Sequence, residues 1–161
     1  LYMGLESGDD LVLARCRKNE TGGAMVKAGI RAQTAGLRMS VMILLGLGGA
    51  GRTKEHADCT AMALNHMQPR LLSALRVIPQ EGTELFDDMQ SGFFQPLTEH
   101  QTIQELYNLV KNLNLRGTLF RANHASNVIP IEARMPRDKQ RLLTLLERIT
   151  GDAPESTLNK T

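Results

Sequence analysis

The sequence predicts an α/β fold with parallel strands, and two observations carry that prediction. Apolar strand-like runs alternate with helical patterns in the order β-α-β-α-β through the first half of the chain, the alternation that builds parallel sheets with right-handed crossovers. The run Arg38 to Gly46 (RMSVMILLG) is continuously apolar and bounded by glycine, as a strand buried on both faces of a parallel sheet is. Composition agrees: 42% of the 161 residues are hydrophobic and 22% charged, enough for one core and too balanced for disorder. The formal net charge of +2 gives no basic excess of the kind that nucleic-acid or membrane surfaces need. No apolar run is long enough to span a bilayer, and no leader-like segment precedes the first strand. The expected location is cytoplasmic. Because Leu1 opens inside a strand, the chain is expected to be a piece of a longer protein.

Each element has its own signal. Leu1 to Leu5 reads as a strand end because turn and N-cap residues, Ser7 to Asp10, follow at once. A short helix runs from there to about Arg17. Thr21 caps a second helix with Met25, Ala28, Ala32 and Ala35 at helical spacing, and Gly36 ends it. After the Arg38–Gly46 strand, the glycine-rich stretch 46–51 breaks the run, and a helical pattern continues from Thr53 to about His66. The third strand, Leu71 to Ile78, stops at Pro79. A short helix follows at Glu84 to Met89. A long amphipathic helix marked at its start by Thr98 places Ile103, Leu106, Tyr107, Val110 and Leu113 on one face. Thr118 to Ala122 is strand-like, and 124–136 reads as irregular because of its two prolines. A last helix spans about Pro136 to Thr150, and a polar tail from Gly151 onward is expected to be disordered.

Two places suggest chemistry. In GLESGDD the carboxylate of Glu6 emerges directly after a strand and before a helix, at the edge of a parallel sheet where ligands bind. A carboxylate there can accept two hydrogen bonds from a ribose diol; a solvated turn residue is the plain alternative. The second place is Gly46 to Arg52, whose glycines allow close approach to the backbone. Its G-x-G-G-x-G order matches neither the dinucleotide fingerprint nor a phosphate loop, and a flexible surface turn explains it equally well. Cys16 and Cys59 are far apart and define no zinc spacing or disulfide framework. Both read as small apolar residues, Cys59 at a buried-looking helical position between Ala57 and Ala61. His56, His66 and His100 have no spaced partners and are assigned nothing.

Taken together, YMGLESGDD, Lys18 one helix later, AGLRMSVMILLGLGG and SALRVIPQEGTEL resemble the radical S-adenosylmethionine enzymes, in particular the Fe-S oxidoreductases related to coproporphyrinogen dehydrogenase and the Elongator-type subgroup. The resemblance covers residues 1 to about 90. It implies a partial (β/α) TIM-like barrel fragment with parallel strands, the C-terminal part of such a barrel, followed by a helical extension over 91–150 and the tail 151–161. It further implies that Glu6, with Ser7 beside it, meets the ribose hydroxyls of S-adenosylmethionine. Lys18 would hold the methionine carboxylate as a point charge. Met42 and Leu44, with Val77 and Ile78, would flank the adenine, and Gly46 would begin the cofactor-contacting turn beyond the Met42 strand. For these apolar residues, core packing is the plain alternative.

The family's three closely spaced cysteines are absent, so the [4Fe-4S] cluster is expected only in a parent protein, its ligands outside this chain. On this reading the parent is an Fe-S oxidoreductase that generates a 5′-deoxyadenosyl radical, and the chain alone is inactive. The cofactor supplies that chemistry and the protein positions it. The glycine-rich turn departs from the family's usual pattern, which weakens the mapping between Gly48 and Glu55. The segment Arg121 to Asn127 resembles a stretch in related oxidoreductases of uncertain substrate, which makes His124, Ser126 and Asn127 second-tier catalytic candidates. Expected partners are a small-molecule substrate, the missing N-terminal half of the barrel, and a second copy through an exposed sheet edge. A nucleotide-binding or protein-interaction module without catalysis is the alternative reading.

Overall fold

The computed structural model describes residues 1–151; the tail beyond Gly151, expected to be disordered, lies outside the described residues. The elements in chain order are β1 (Tyr2–Glu6), α1 (Asp10–Arg15), α2 (Gly22–Thr34), β2 (Ser40–Leu45), α3 (Thr53–Met67), β3 (Leu71–Arg76), α4 (Glu84–Gln90), α5 (Glu99–Asn112), β4 (Thr118–Ala122), β5 (Ile131–Met135) and α6 (Lys139–Gly151). The five strands form one sheet in sequential order, with β1 to β4 parallel and β5 antiparallel to β4. This is the mixed α/β architecture that the alternation predicts.

The helices start where their sequences say they should. Asp9, Thr21, Thr83 and Thr98 each cap a helix by accepting a hydrogen bond from a backbone N–H of its first turn, and Thr98 with Gln101 completes a reciprocal capping box. Left-handed backbone at Gly36, φ 85°, follows α2.

All the large helices lie on one side of the sheet. Leu5, Val41, Ile43, Leu45, Leu72 and Phe120 face Met25 of α2, Leu64 of α3, Leu109 of α5 and Leu146 of α6. Helix α2 packs on α3, α3 on α5, and α5 on α6, so the helical layer is continuous across the sheet. Residues opposite one another in register share a face. On the second face Gly4, Met42, Ser73 and Arg121 therefore form one row. Met42 is 38% exposed, and Leu44, Leu71 and Leu75 are half-buried. The expectation that β2 is buried on both faces is corrected here: the strand alternates, because among the described residues no helix covers its second face.

A second correction concerns 124–136. Its latter part is β5, a regular strand whose inward residues Ile131, Ala133 and Met135 are buried. The prolines at 130 and 136 bound the strand instead of interrupting it. Residues 91–150 thus supply two strands to the same sheet as well as helices. The outer side of β5 is blunted: the Arg134 N–H donates to Asp138 at 2.8 Å, and the Asp138 N–H donates back to the Arg134 carbonyl at 2.8 Å.

Phe120 is fully buried at the centre of the core. Truncation to alanine removes a ring that the sheet and helices cannot close over, so Phe120→Ala is expected to lower the unfolding free energy by about 3–5 kcal/mol in urea denaturation.

Candidate functional site

The carboxyl ends of β1 to β4 share one edge of the sheet. Parallel pairing makes this unavoidable, and it gathers the turn after Glu6, the glycine-rich turn, the segment after Arg76 and the loop 123–130 along that edge.

Glu6 has an unusual backbone. Its φ is 60°, it sits at an irregularity in the β1–β2 register, and the Ser7 N–H closes a three-residue turn around it by donating to the Leu5 carbonyl at 2.7 Å. A left-handed non-glycine residue costs about 1–3 kcal/mol and persists only where its surroundings over-determine it. The side chain turns back over Gly4, where an added Cβ would lie 2.1 Å from Glu6 Oε1 and 3.3 Å from Lys18 Nζ. Glycine at position 4 thus leaves the space that the charged pair fills. Lys18 Nζ donates to Glu6 Oε1 at 3.2 Å, and both side chains remain partly open to solvent. Left-handed residues at Arg17, φ 52°, and Asn19, φ 57°, bracket Lys18, whose own N–H is tied to the Leu13 carbonyl at 3.0 Å. A carboxylate and an ammonium therefore stand together at the sheet edge, beside the row that contains Met42.

The other candidates divide into two groups. Met42 and Leu44 lie on the uncovered face, and Val77 and Ile78 continue β3 past the sheet, with Ile78 52% exposed. The Val77 N–H still pairs with the Leu45 carbonyl at 2.9 Å. Ser7 and Gly46 are different. The Ser7 side chain is wholly buried and its hydroxyl lies 2.8 Å from His56 Nδ1, so it supports the Glu6 turn from behind. The Gly46 N–H donates to Glu105 at 2.6 Å under Leu97. The first part of the glycine-rich turn is packed inside: a Cβ at Gly48 would meet the Arg52 carbonyl at 2.9 Å, and one at Gly49 would meet the Phe94 ring at 2.8 Å, whereas Gly51 is exposed. Gly48 and Gly49 serve close packing, and the reading of a flexible surface turn is corrected for residues 46–49.

Sequence reasoning assigned nothing to His56, yet it is central. His56 Nε2 lies 3.0 Å from the Leu44 carbonyl, which can only accept, so Nε2 carries a proton. Glu105, on α5, accepts from Gly46 and from the Thr53 hydroxyl at 2.5 Å, with His56 Nε2 3.7 Å away. Glu105 falls four residues before Leu109 and three after Thr102, on the apolar face of its helix. A carboxylate in that stripe was the missed signal. Asp9 adds an outer tie: it caps α1 and accepts from both Arg52 Nε at 2.9 Å and Nη2 at 2.7 Å. Burial pushes the Asp9 carboxyl up, but the Arg52 guanidinium and the Leu11 N–H outweigh it and hold it below the usual carboxylate range.

The second-tier residues also reach this edge. Ser126 accepts from the Arg76 N–H at 3.2 Å, and Asn127 Nδ2 donates to the Ala74 carbonyl at 2.9 Å, which fastens the β4–β5 loop onto the end of β3. His124 Nδ1 accepts the Ser126 N–H at 3.1 Å and lies 2.8 Å from its hydroxyl. Neutral His124 is therefore the Nε2–H tautomer. Cys16 is exposed and Cys59 half-buried, which departs from the buried-looking position expected for the latter. Burial and the neighbouring Asp9 and Asp58 push the Cys59 thiol up.

No family model and no curated protein matches the sequence. Among solved structures the chain is similar to the archaeal Methanocaldococcus infernus Elp3 with an N-terminal deletion of residues 1–46, with a TM-score of 0.67 and 17% identity over 93% of this chain and 36% of that one. The chain thus has the fold of part of that protein and spans about a third of its length. No helix among the described residues is long and apolar enough to cross a membrane.

Because the native Asp9 carboxyl ionises below its unfolded value, the stability it contributes is present above about pH 4 and is lost as pH falls through its lowered native value. Asp9→Asn is expected to lower the melting temperature at pH 7 and to flatten its dependence on pH between neutral and strongly acidic conditions. Thermal melts at several pH values check both.

Proposed function

We propose that this chain supplies the ribose- and carboxylate-binding side of an S-adenosylmethionine site in a radical S-adenosylmethionine Fe-S oxidoreductase. The observation that carries the reading is the Glu6–Lys18 pair, held over the missing Cβ of Gly4 by a left-handed backbone at the carboxyl edge of a parallel sheet. The Elp3 likeness supports it at the level of fold, and the motifs around Glu6, Lys18 and the β2 and β3 strands support it in sequence.

The two charged groups fit the two polar ends of the cofactor. A ribose presents two vicinal hydroxyls that donate to one carboxylate, here Glu6. A methionine carboxylate accepts from an ammonium, here Lys18, whose three rotatable N–H donors adapt to it without a fixed fork. In the free chain the pair satisfies itself at modest energy, since both groups are partly solvated. A ligand carrying diol and carboxylate exchanges one ion pair for two charge-assisted contacts. Met42 and Leu44 on the uncovered face, with Val77 and Ile78 at the end of β3, offer apolar surface against which a purine excludes water.

When bound together, the cluster and cofactor supply the radical chemistry. Cys16 and Cys59 do not fit the cluster: they fall on different helical elements and lack the family's spacing. The cluster ligands are accordingly assigned to a part of a longer protein outside this chain, whose strands would pair at the β1 edge and turn the uncovered sheet face inward in a barrel. Within the chain, residues bind and orient; none is assigned a step of bond cleavage. A cytoplasmic location belongs to the same proposal.

NMR titration of the 161-residue chain with S-adenosylmethionine is the direct test. Saturable shifts at the amides of residues 4–8 and 18 are expected, with affinity falling about tenfold or more in Glu6→Ala and Lys18→Ala. Gly4→Ala should do the same, because its methyl group displaces the carboxylate and leaves the core untouched. Wild-type spectra unchanged at millimolar ligand would overturn the reading.

A second reading, self-association, is favoured by β1 itself. It is an edge strand with Tyr2 80% exposed and Leu1 56% exposed. Concentration-dependent dimerisation in light scattering that is lost in Tyr2→Lys would support it; a monomer at high concentration in the wild type would count against it.

A further inference from the structure

We infer that His56 and Glu105 are positioning residues that set the ligand-facing edge of β1 and β2 from inside the protein. The inference rests on the site reading above and adds to it the residues that hold the site in shape.

Both side chains are nine-tenths or more buried, His56 2% exposed as a residue and the Glu105 side chain not at all. A carboxylate removed from water costs several kcal/mol unless its lone pairs are met. Here the lone pairs are met by groups that define the edge. Oε1 takes the Gly46 N–H at 2.6 Å, the first amide after β2. Oε2 takes the Thr53 hydroxyl at 2.5 Å, at the start of α3. His56 donates from Nε2 to the Leu44 carbonyl at 3.0 Å, so the last two residues of β2 are held between one imidazole and one carboxylate.

The other side of the imidazole reaches β1. Nδ1 lies 2.8 Å from Ser7 Oγ, and Ser7 Oγ in turn accepts the Asp9 N–H at 3.0 Å. The adjacent Gly8 N–H donates to the Thr60 hydroxyl at 2.9 Å, one helical turn beyond His56 on α3. The tight turn that forces Glu6 into its left-handed backbone is closed by the Ser7 N–H. Holding Ser7 therefore holds Glu6. One path of hydrogen bonds and short covalent links thus runs from Glu105 on α5 through Gly46 and Leu44 at the end of β2 and His56 of α3 to Ser7, next to Glu6. A merely space-filling role would not need partners on both ring nitrogens of His56 and on both oxygens of Glu105 together.

The test combines a ligand-free and a ligand-dependent measurement on the 161-residue chain, with His56→Gln and Glu105→Gln compared against Leu64→Ala, a neighbouring core variant chosen to lower the melting temperature comparably. The expected result is at least tenfold faster hydrogen exchange at the Ser7, Asp9 and Gly46 amides in the two network variants, beyond the increase seen at those amides in Leu64→Ala. S-adenosylmethionine affinity measured by the same NMR titration should fall tenfold or more in the network variants and stay within threefold of wild type in Leu64→Ala. Equal exchange in all three variants would overturn the inference, as would network variants that bind as wild type does. Faster local exchange without any binding by the wild type would instead sustain the bracing and defeat the site reading. Ser7→Ala, which cuts the link with little change of volume, gives the same comparison where His56→Gln does not fold.

Discussion

Glu105 is the constraint on which the arrangement of this molecule turns. A fully buried carboxylate has to find donors inside the protein, and the available ones are an amide at the end of β2 and a hydroxyl at the start of α3. Meeting that need ties α5 to the end of β2 and to the start of α3, and fixes the path of the chain between them. The glycines of that connection follow from the same closeness, since side chains at 48 and 49 would collide with α3 and with Phe94. A sequence feature that suggests an exposed ligand loop is in this protein the consequence of dense packing around one charge.

The division of the sheet into a covered and an uncovered face follows from strand alternation. Every second residue of β2 and β3 enters the helical layer, and the residues between them are left to water or to whatever else lies over them. The charged pair stands where that uncovered face meets the carboxyl edge. Rigid backbone beneath and partial solvent above is the usual setting for side chains that must be both placed and reachable.

Much of the fold was legible because its signals are local. The caps Asp9, Thr21 and Thr98, the helical spacing of Met25 or Ile103, and the apolar run of β2 each depend on residues a few positions apart. β5 was not legible, because Pro130 and Pro136 look like breakers until the strand is seen to lie between them. Glu6 and Lys18 were singled out one by one through the sequence resemblance, but their contact was not legible: twelve residues and a helix separate them, and nothing in their spacing requires it. His56 and Glu105 are farther apart still. Their relation exists only in three dimensions, and the sole trace in the sequence is a carboxylate set among the apolar positions of α5.

The two margins of the sheet are finished differently. At β5, the mutual bonds between Arg134 and Asp138 occupy polar groups that an added strand would need, and α6 turns in directly behind them. At β1 the last strand ends in exposed Leu1 and Tyr2. The polar groups of Arg134 are spent at one margin, and the other margin, β1, is the one on which Glu6 stands.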